Sequence, residues 1–294
     1  MTRISRTALN TLLLFGLPAL FIVTFFVVPL VNSVAVSLGI PELTFAAYKR
    51  LVDVPVYRAV YGRTLRVALI VTLVCVAVGY PCAYYISTLG RRGRIIAVGL
   101  IALPFMLSVL VRNYVWMVLL QDTGLINRLL LGAGWIETPI RLMHNELGVL
   151  IAMTNMLLPY VIFPVLGALL AIPPELRTAS ASLGADGMRT FWRVTLPLTS
   201  AGTAAGALLT FIIGLGFYIT PAMLGGAREM MIANLIAFNV RDVLNWSLAF
   251  SLSTSLLASQ MQMKLLALAA TIFSRVNAPP PPLIMCMFSV ISSA

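Results

Sequence analysis

Six apolar runs, each long enough to cross a lipid bilayer as a helix, leave this chain few folds to choose from. They cover about 12–38, 65–89, 95–120, 147–172, 198–219 and 246–273. At ~1.5 Å per residue each reaches the ~30 Å of a hydrocarbon core. In lipid every backbone polar group must be paired inside the protein, and a helix does this by itself. Only 10% of the 294 residues are charged and 60% are hydrophobic, against about 25% charged in soluble domains. The expected fold class is therefore all-α, a polytopic membrane protein with six transmembrane helices. The first apolar run continues from Leu12 to about Val31, past the ~7–15 residues of a signal-peptide core. It reads as a retained first helix, 12–38, behind a short N-terminus, 1–11.

An even number of spans puts both termini on one side. The shortest loop, GRRGR at 90–94, is the densest basic cluster, and short basic loops face the cytoplasm. With that assignment seven of the nine acids lie in outer loops, so both termini are expected to be cytoplasmic. The net charge of +11 then reflects loops facing anionic lipid rather than nucleic acid. Arg112, about 17 residues beyond Ile95 on a continuous third helix, is expected to snorkel outward.

Prolines fall inside the first four spans: Pro18, Pro29, Pro81, Pro104, Pro159 and Pro164. Such kinks suit a bundle with a pathway or moving parts. Gly202 and Gly206 form G-x-x-x-G in the fifth span, which predicts close contact with a neighbouring helix. The sixth span carries Gln260, Gln262 and Lys264. The preferred reading is that this helix ends early or shifts so that the lysine reaches the interface. The tail, 274–294 with Pro279–Pro282 in a row, reads as non-helical.

The chemistry of an enzyme is missing. The two lysines, Lys49 and Lys264, follow no glycine, so there is no phosphate-binding loop. One histidine, His144, and three scattered cysteines make neither a metal site nor a disulfide framework. No acid lies within an expected span, which weighs against a self-powered secondary carrier. No catalytic residue, metal ligand or cofactor site is expected.

The polar loop 173–197 is the chain's most distinctive soluble feature. Pro174 suits a first helical position, with Glu175 in the first turn. Leu176, Ala179 and Leu183 recur at helical spacing. Gly184 is a natural left-handed stop, and Asp186 can cap a second helix. The expectation is two short surface helices around a glycine hinge, with Pro197 opening the fifth span. An interfacial anchor and a docking lever are equally compatible with this pattern.

The loop resembles the EAA motif of permease subunits in bacterial ABC importers. Gly184 matches the motif's glycine, Val194 its isoleucine, and Leu196 and Pro197 its L-P. Thr178, Ala179 and Ser180 stand where E-A-A is expected, so only the alanine matches; Glu175 lies one turn earlier. GYPCAY at 79–84, LPFMLSVLVRNYVWMVLLQDTGLIN at 103–127, FYITPAMLGG at 217–226 and MMIANLI at 230–236 are similar to the spermidine/putrescine subgroup.

The resemblance implies a type I ABC importer permease fold, with a first helix outside a five-helix core at 60–273. It implies an inner-membrane location, a second homologous permease, two ATP-binding subunits carrying ATP and Mg, and a periplasmic solute-binding protein. Glu175, Thr178, Ala179, Ser180, Gly184, Ala185, Leu196 and Pro197 would couple the chain to the ATPases. Tyr114, Trp116, Asn155 and Tyr218 would line the path of a polyamine, because aromatic faces attract amine cations. Arg112 would suit an anionic or zwitterionic solute better.

Overall fold

The computed structural model describes residues 6–40 and 44–276, with side chains over 14–265 apart from 41–43 and 177. Residues 1–5 and most of the expected tail, 277–294, lie outside the described residues. The first span joins α1 (Arg6–Ile22), a π-helical turn (Val23–Val27) and α2 (Val28–Ser37). There follow α3 (Ala46–Asp53), α4 (Pro55–Thr88), α5 (Arg91–Ala102), a 3-10 turn (Leu103–Met106), α6 (Val109–Leu120) and α7 (Leu125–Gly132). Then come α8 (Glu146–Leu170), α9 (Pro174–Ser182), α10 (Gly187–Thr190), a π-helical turn (Phe191–Thr195) and α11 (Leu196–Leu215). The chain continues through α12 (Ile219–Leu224), α13 (Ile232–Arg241) and α14 (Trp246–Val276).

Among the described residues, four helices are long and apolar enough to cross a bilayer, or five if the bent third segment is one span. The sixth expected span corresponds to α14, which is 31 residues long but is not among those five. It does not end at Lys264. The helix runs on to Val276 with the lysine exposed on its surface. Gln260 turns inward and donates to the carbonyl of Ile212 at 3.3 Å, which gives one of the polar residues of this span a partner.

Three helices, α4, α8 and α11, form the core. Lipid tails are as apolar as leucine, so burial of greasy side chains does little to hold helices together there. Close packing and interhelical hydrogen bonds must do it. Both are present. A Cβ on Gly202 would lie 2.5 Å from the Cβ of Ala168, and one on Gly206 would lie 3.1 Å from the Cα of Val161. The G-x-x-x-G pair is thus the seam between α11 and α8. Tyr80 of α4 hydrogen-bonds Thr199 of α11 at 2.8 Å, both side chains being buried. The N–H of Ile232 donates to Oγ1 of Thr64 at 2.9 Å, fixing α13 to α4.

Helix α4 begins ten residues before its expected start. Val54 is extended and Pro55 occupies the first turn, a position that needs no donor. Arg58 and Arg63 disguise this stretch as a loop, yet Val60, Thr64, Val67 and Val71 are buried along one face. Arg66, three turns into α4, forms an ion pair with Glu146 at the start of α8. At the C-terminal end of α4 Arg94 donates to the carbonyls of Ser87 and Leu89 at 3.0 and 3.2 Å, capping the helix's unpaired acceptors.

The third expected span is not one helix. It turns by 98° between Arg91–Met106 and Val109–Gly132. Pro104 removes a donor, the chain tightens into a 3-10 turn, and Leu107 and Ser108 are non-helical. The length estimate that sent Arg112 outward therefore fails. Its Cζ lies 5.4 Å from the centre of the Phe105 ring, which belongs to the other side of the break.

That bend is held by Thr220 of α12, whose hydroxyl donates to Oδ1 of Asn113 at 2.6 Å, with both residues fully buried. Thr220→Val should lower the thermal midpoint of the purified protein. It leaves a buried carbonyl unpaired, at a cost of ~1–3 kcal/mol. The Asn113→Leu, Thr220→Val double variant should recover part of that loss, since the orphaned group is gone. A double variant less stable than the single would refute this account.

Candidate functional site

The loop at 173–197 is a helix, a glycine turn and the beginning of a transmembrane helix. Pro174 starts α9 and Glu175 sits exposed in its first turn. Thr178 and Ser182 direct their hydroxyls to carbonyls of their own helix. At the C-terminus Gly184 has φ +79°. Its N–H donates to Ala181 at 2.9 Å and that of Ala185 to Ser180 at 3.1 Å. This pair of bonds is a Schellman motif, which satisfies the last carbonyls and requires a left-handed residue. Ser180 also meets Thr190 across the turn at 2.9 Å. Asp186 then accepts from the N–H of Arg189 at 2.8 Å, the expected cap.

The second arm differs from expectation. It is not a separate surface helix: α10, the π-helical turn and α11 form one 29-residue helix, Gly187–Leu215. Pro197 does not open this helix but lies ten residues within it. A proline there lacks an N–H, and the wider turn at Phe191–Thr195 just before it is the local adjustment. Leu196 is half-buried against the core, and Pro197 is exposed.

Phe191 is the anchor of the loop. Its ring meets Tyr80 at 5.9 Å and Tyr84 at 5.4 Å, both edge-on. These tyrosines belong to GYPCAY, so the motif is the seat of the loop on α4. The loop and the GRRGR cluster consequently share one end of the bundle. Leu183 is 88% exposed, Met188 65% and Trp192 60%. Leu183 lines a groove of about 260 Å³ with Gly184, Ala185, Arg189 and Arg193. An apolar, basic-rimmed surface on a polar loop suits a protein contact.

Of the four expected path residues, two come together. The indole N–H of Trp116 donates to Oδ1 of Asn155 at 3.2 Å, and both line a cavity of about 370 Å³ with Thr154 and Leu158. Tyr114 is two positions from Trp116 on α6, hence about 200° around the helix, and is exposed elsewhere. Tyr218 lines a different cavity of about 420 Å³ with His144, Asn234 and Arg241. Its hydroxyl lies 3.5 Å from the guanidinium of Arg241. Sequence reasoning missed Asn234, whose Nδ2 donates to the carbonyl of Tyr218 at 3.0 Å; it lies within MMIANLI, and that motif was its only signal.

A proline-broken helical bundle that packs on small residues and carries an exposed loop at one end has the architecture of a membrane permease. The chain belongs to the family of binding-protein-dependent transport system inner membrane components, whose profile matches residues 9–276. It is a multi-pass inner-membrane protein, the permease subunit of an ABC importer. It is 34% identical over 213 residues to the spermidine/putrescine transport system permease protein PotB of Salmonella typhimurium (strain LT2), covering 72% of this chain and 74% of that one. PotB of Haemophilus influenzae is 32% identical over 235 residues, 80% of each chain. The fold is similar to that of a bacterial ABC transporter importing the acidic polysaccharide alginate, with a TM-score of 0.73 at 16% identity over 94% of this chain and 98% of that one.

Proposed function

We propose that this subunit forms half of a translocation pathway for a polyamine or related amine, and that separate ATPase subunits drive it through α9. The exposed glycine-turned loop is the observation that carries the coupling. Its apolar tip, around Leu183, seats in a groove of an ATPase, with Glu175 supplying the carboxylate that Thr178 lacks. Phe191 and the unbroken helix Gly187–Leu215 pass the displacement of the loop to α4 and α11. ATP and Mg are held by the partner subunits, and closure of those subunits rocks the bundle between inward- and outward-facing states as a rigid body. In this reading the loop and both termini are cytoplasmic, which agrees with GRRGR lying at the same end. A second permease completes the path, and a periplasmic binding protein delivers the solute.

The likeness to the PotB permeases supports the amine. Trp116, paired with Asn155 beside a cavity, offers a cation an aromatic face together with a carboxamide. A second reading, an anionic or zwitterionic solute, is favoured by Arg112, which makes no ion pair among the described residues.

The test is uptake into proteoliposomes. Labelled spermidine should enter only when the second permease, the ATPases, the binding protein and ATP are all present. Uptake by this chain alone would make it a secondary carrier. Coupled uptake of a carboxylated solute, with spermidine excluded, would favour the second reading.

A further inference from the structure

A further cavity, of about 510 Å³, lies far from the loop, where α3 and the first turns of α4 meet α14. Its wall is Tyr48, Leu51, Tyr57, Tyr61 and Leu252, with Arg58 the one charged residue. Little of it is polar: Tyr48 already shares a hydrogen bond with Ser37 at 2.8 Å. The position is interfacial by length. Helix α4 has 34 residues, or ~51 Å, against ~30 Å of hydrocarbon, so its charged first turns must leave the core. Tyrosine, tryptophan and basic residues mark that boundary, and here they are Tyr57, Tyr61, Trp246, Lys49, Arg50, Arg58 and Arg63. None of those four cations makes an ion pair among the described residues; Asp53 is the one acid on α3.

We propose that this cavity binds one anionic phospholipid, with an acyl chain against Leu51, Tyr61 and Leu252 and the phosphate at Arg58. An apolar floor beneath a lone guanidinium fits a molecule that is greasy at one end and anionic at the other. A free phosphate would leave the floor empty, and a neutral lipid would leave Arg58 unmatched. The surrounding basic residues add a weaker field of the same sign.

The test is native mass spectrometry of the full chain, purified with the subunits it carries, after addition of phosphatidylglycerol or phosphatidylcholine. The wild type should retain one phosphatidylglycerol, about fivefold more readily than phosphatidylcholine, the factor that ~1 kcal/mol produces. Arg58→Gln should remove most of the preference. Gly62 also lines the cavity, and nothing lies within 4 Å of a Cβ built on it. Gly62→Trp should therefore fill the space and reduce retention of both lipids without unfolding the chain. Equal retention of the two lipids by the wild type would overturn the proposal, as would variants that bind like the wild type or displacement of the lipid by inorganic phosphate. If Arg58→Gln weakens only the docking of a soluble binding protein, the surface belongs to that protein and the lipid assignment falls.

Discussion

Gly184→Arg is expected to insert into the membrane normally yet to cut solute-stimulated ATP hydrolysis of the assembled transporter by at least about tenfold, the factor that ~1.4 kcal/mol of lost docking would produce. Two effects act together. The residue holds φ +79°, where a side chain costs ~1–2 kcal/mol, and the two closing bonds of the Schellman turn depend on that conformation. Nothing lies within 4 Å of a Cβ at this position, so the arginine would not clash inside the chain. It would instead project beside Leu183, into the surface assigned to the ATPase. Gly184→Ala separates the two effects, because it keeps the strain without the bulk, and it should lose less. Insertion is checked by the amount of protein in the membrane fraction and coupling by phosphate release. Normal stimulation in Gly184→Arg would remove the lever from the account.

The second large effect is expected in the seam of the bundle. Gly202→Leu should destabilise the chain by more than the ~1–3 kcal/mol typical of overpacking, and lower its yield, because even a Cβ there lies 2.5 Å from Ala168 and 2.9 Å from the carbonyl of Pro164. The neighbours predict a specific rescue. Gly202→Ala combined with Ala168→Gly should be more stable than Gly202→Ala alone, since one of the two obstacles is a side chain. Gly206→Ala allows no such rescue, because its neighbours are the Cα and carbonyls of Tyr160 and Val161. Thermal unfolding in detergent distinguishes these cases. If the Ala168→Gly rescue fails, the seam is not as close as described.

Both predictions rest on glycines that stand out in the sequence, but for different reasons. Gly184 follows a helical pattern and precedes a capping aspartate, so its left-handed conformation was legible from local rules alone. Asp186, Pro174 and the G-x-x-x-G pair were legible in the same way, for each acts on backbone within one turn or through a periodicity that any helix must obey. Which helix would fill the groove beside Gly202 was not legible, because the pattern names a contact without naming its partner. The three-helix core and the pairing of Tyr80 with Thr199, 119 positions apart, belong to the same class.

Errors arose where a charge or a proline had more than one outcome. Arg58 and Arg63 read as loop because hydropathy averages over all sides of a helix, while α4 buries only one. Pro104 read as a kink, although the chain turns through 98° there, enough to carry Arg112 back over Phe105. Pro197 read as a helix start, yet a π-helical turn lets α11 run through it.

Apolar run length, basic loops and turn residues are one-dimensional properties, and from them follow the membrane class, the helical fold and the exposed loop. Depth, facing and company are different, because they depend on atoms distant in the chain. Trp116 meets Asn155 while Tyr114 does not, and Asn113 finds Thr220 across a bend. A side chain's partner is set by where the rest of the bundle comes to rest against it.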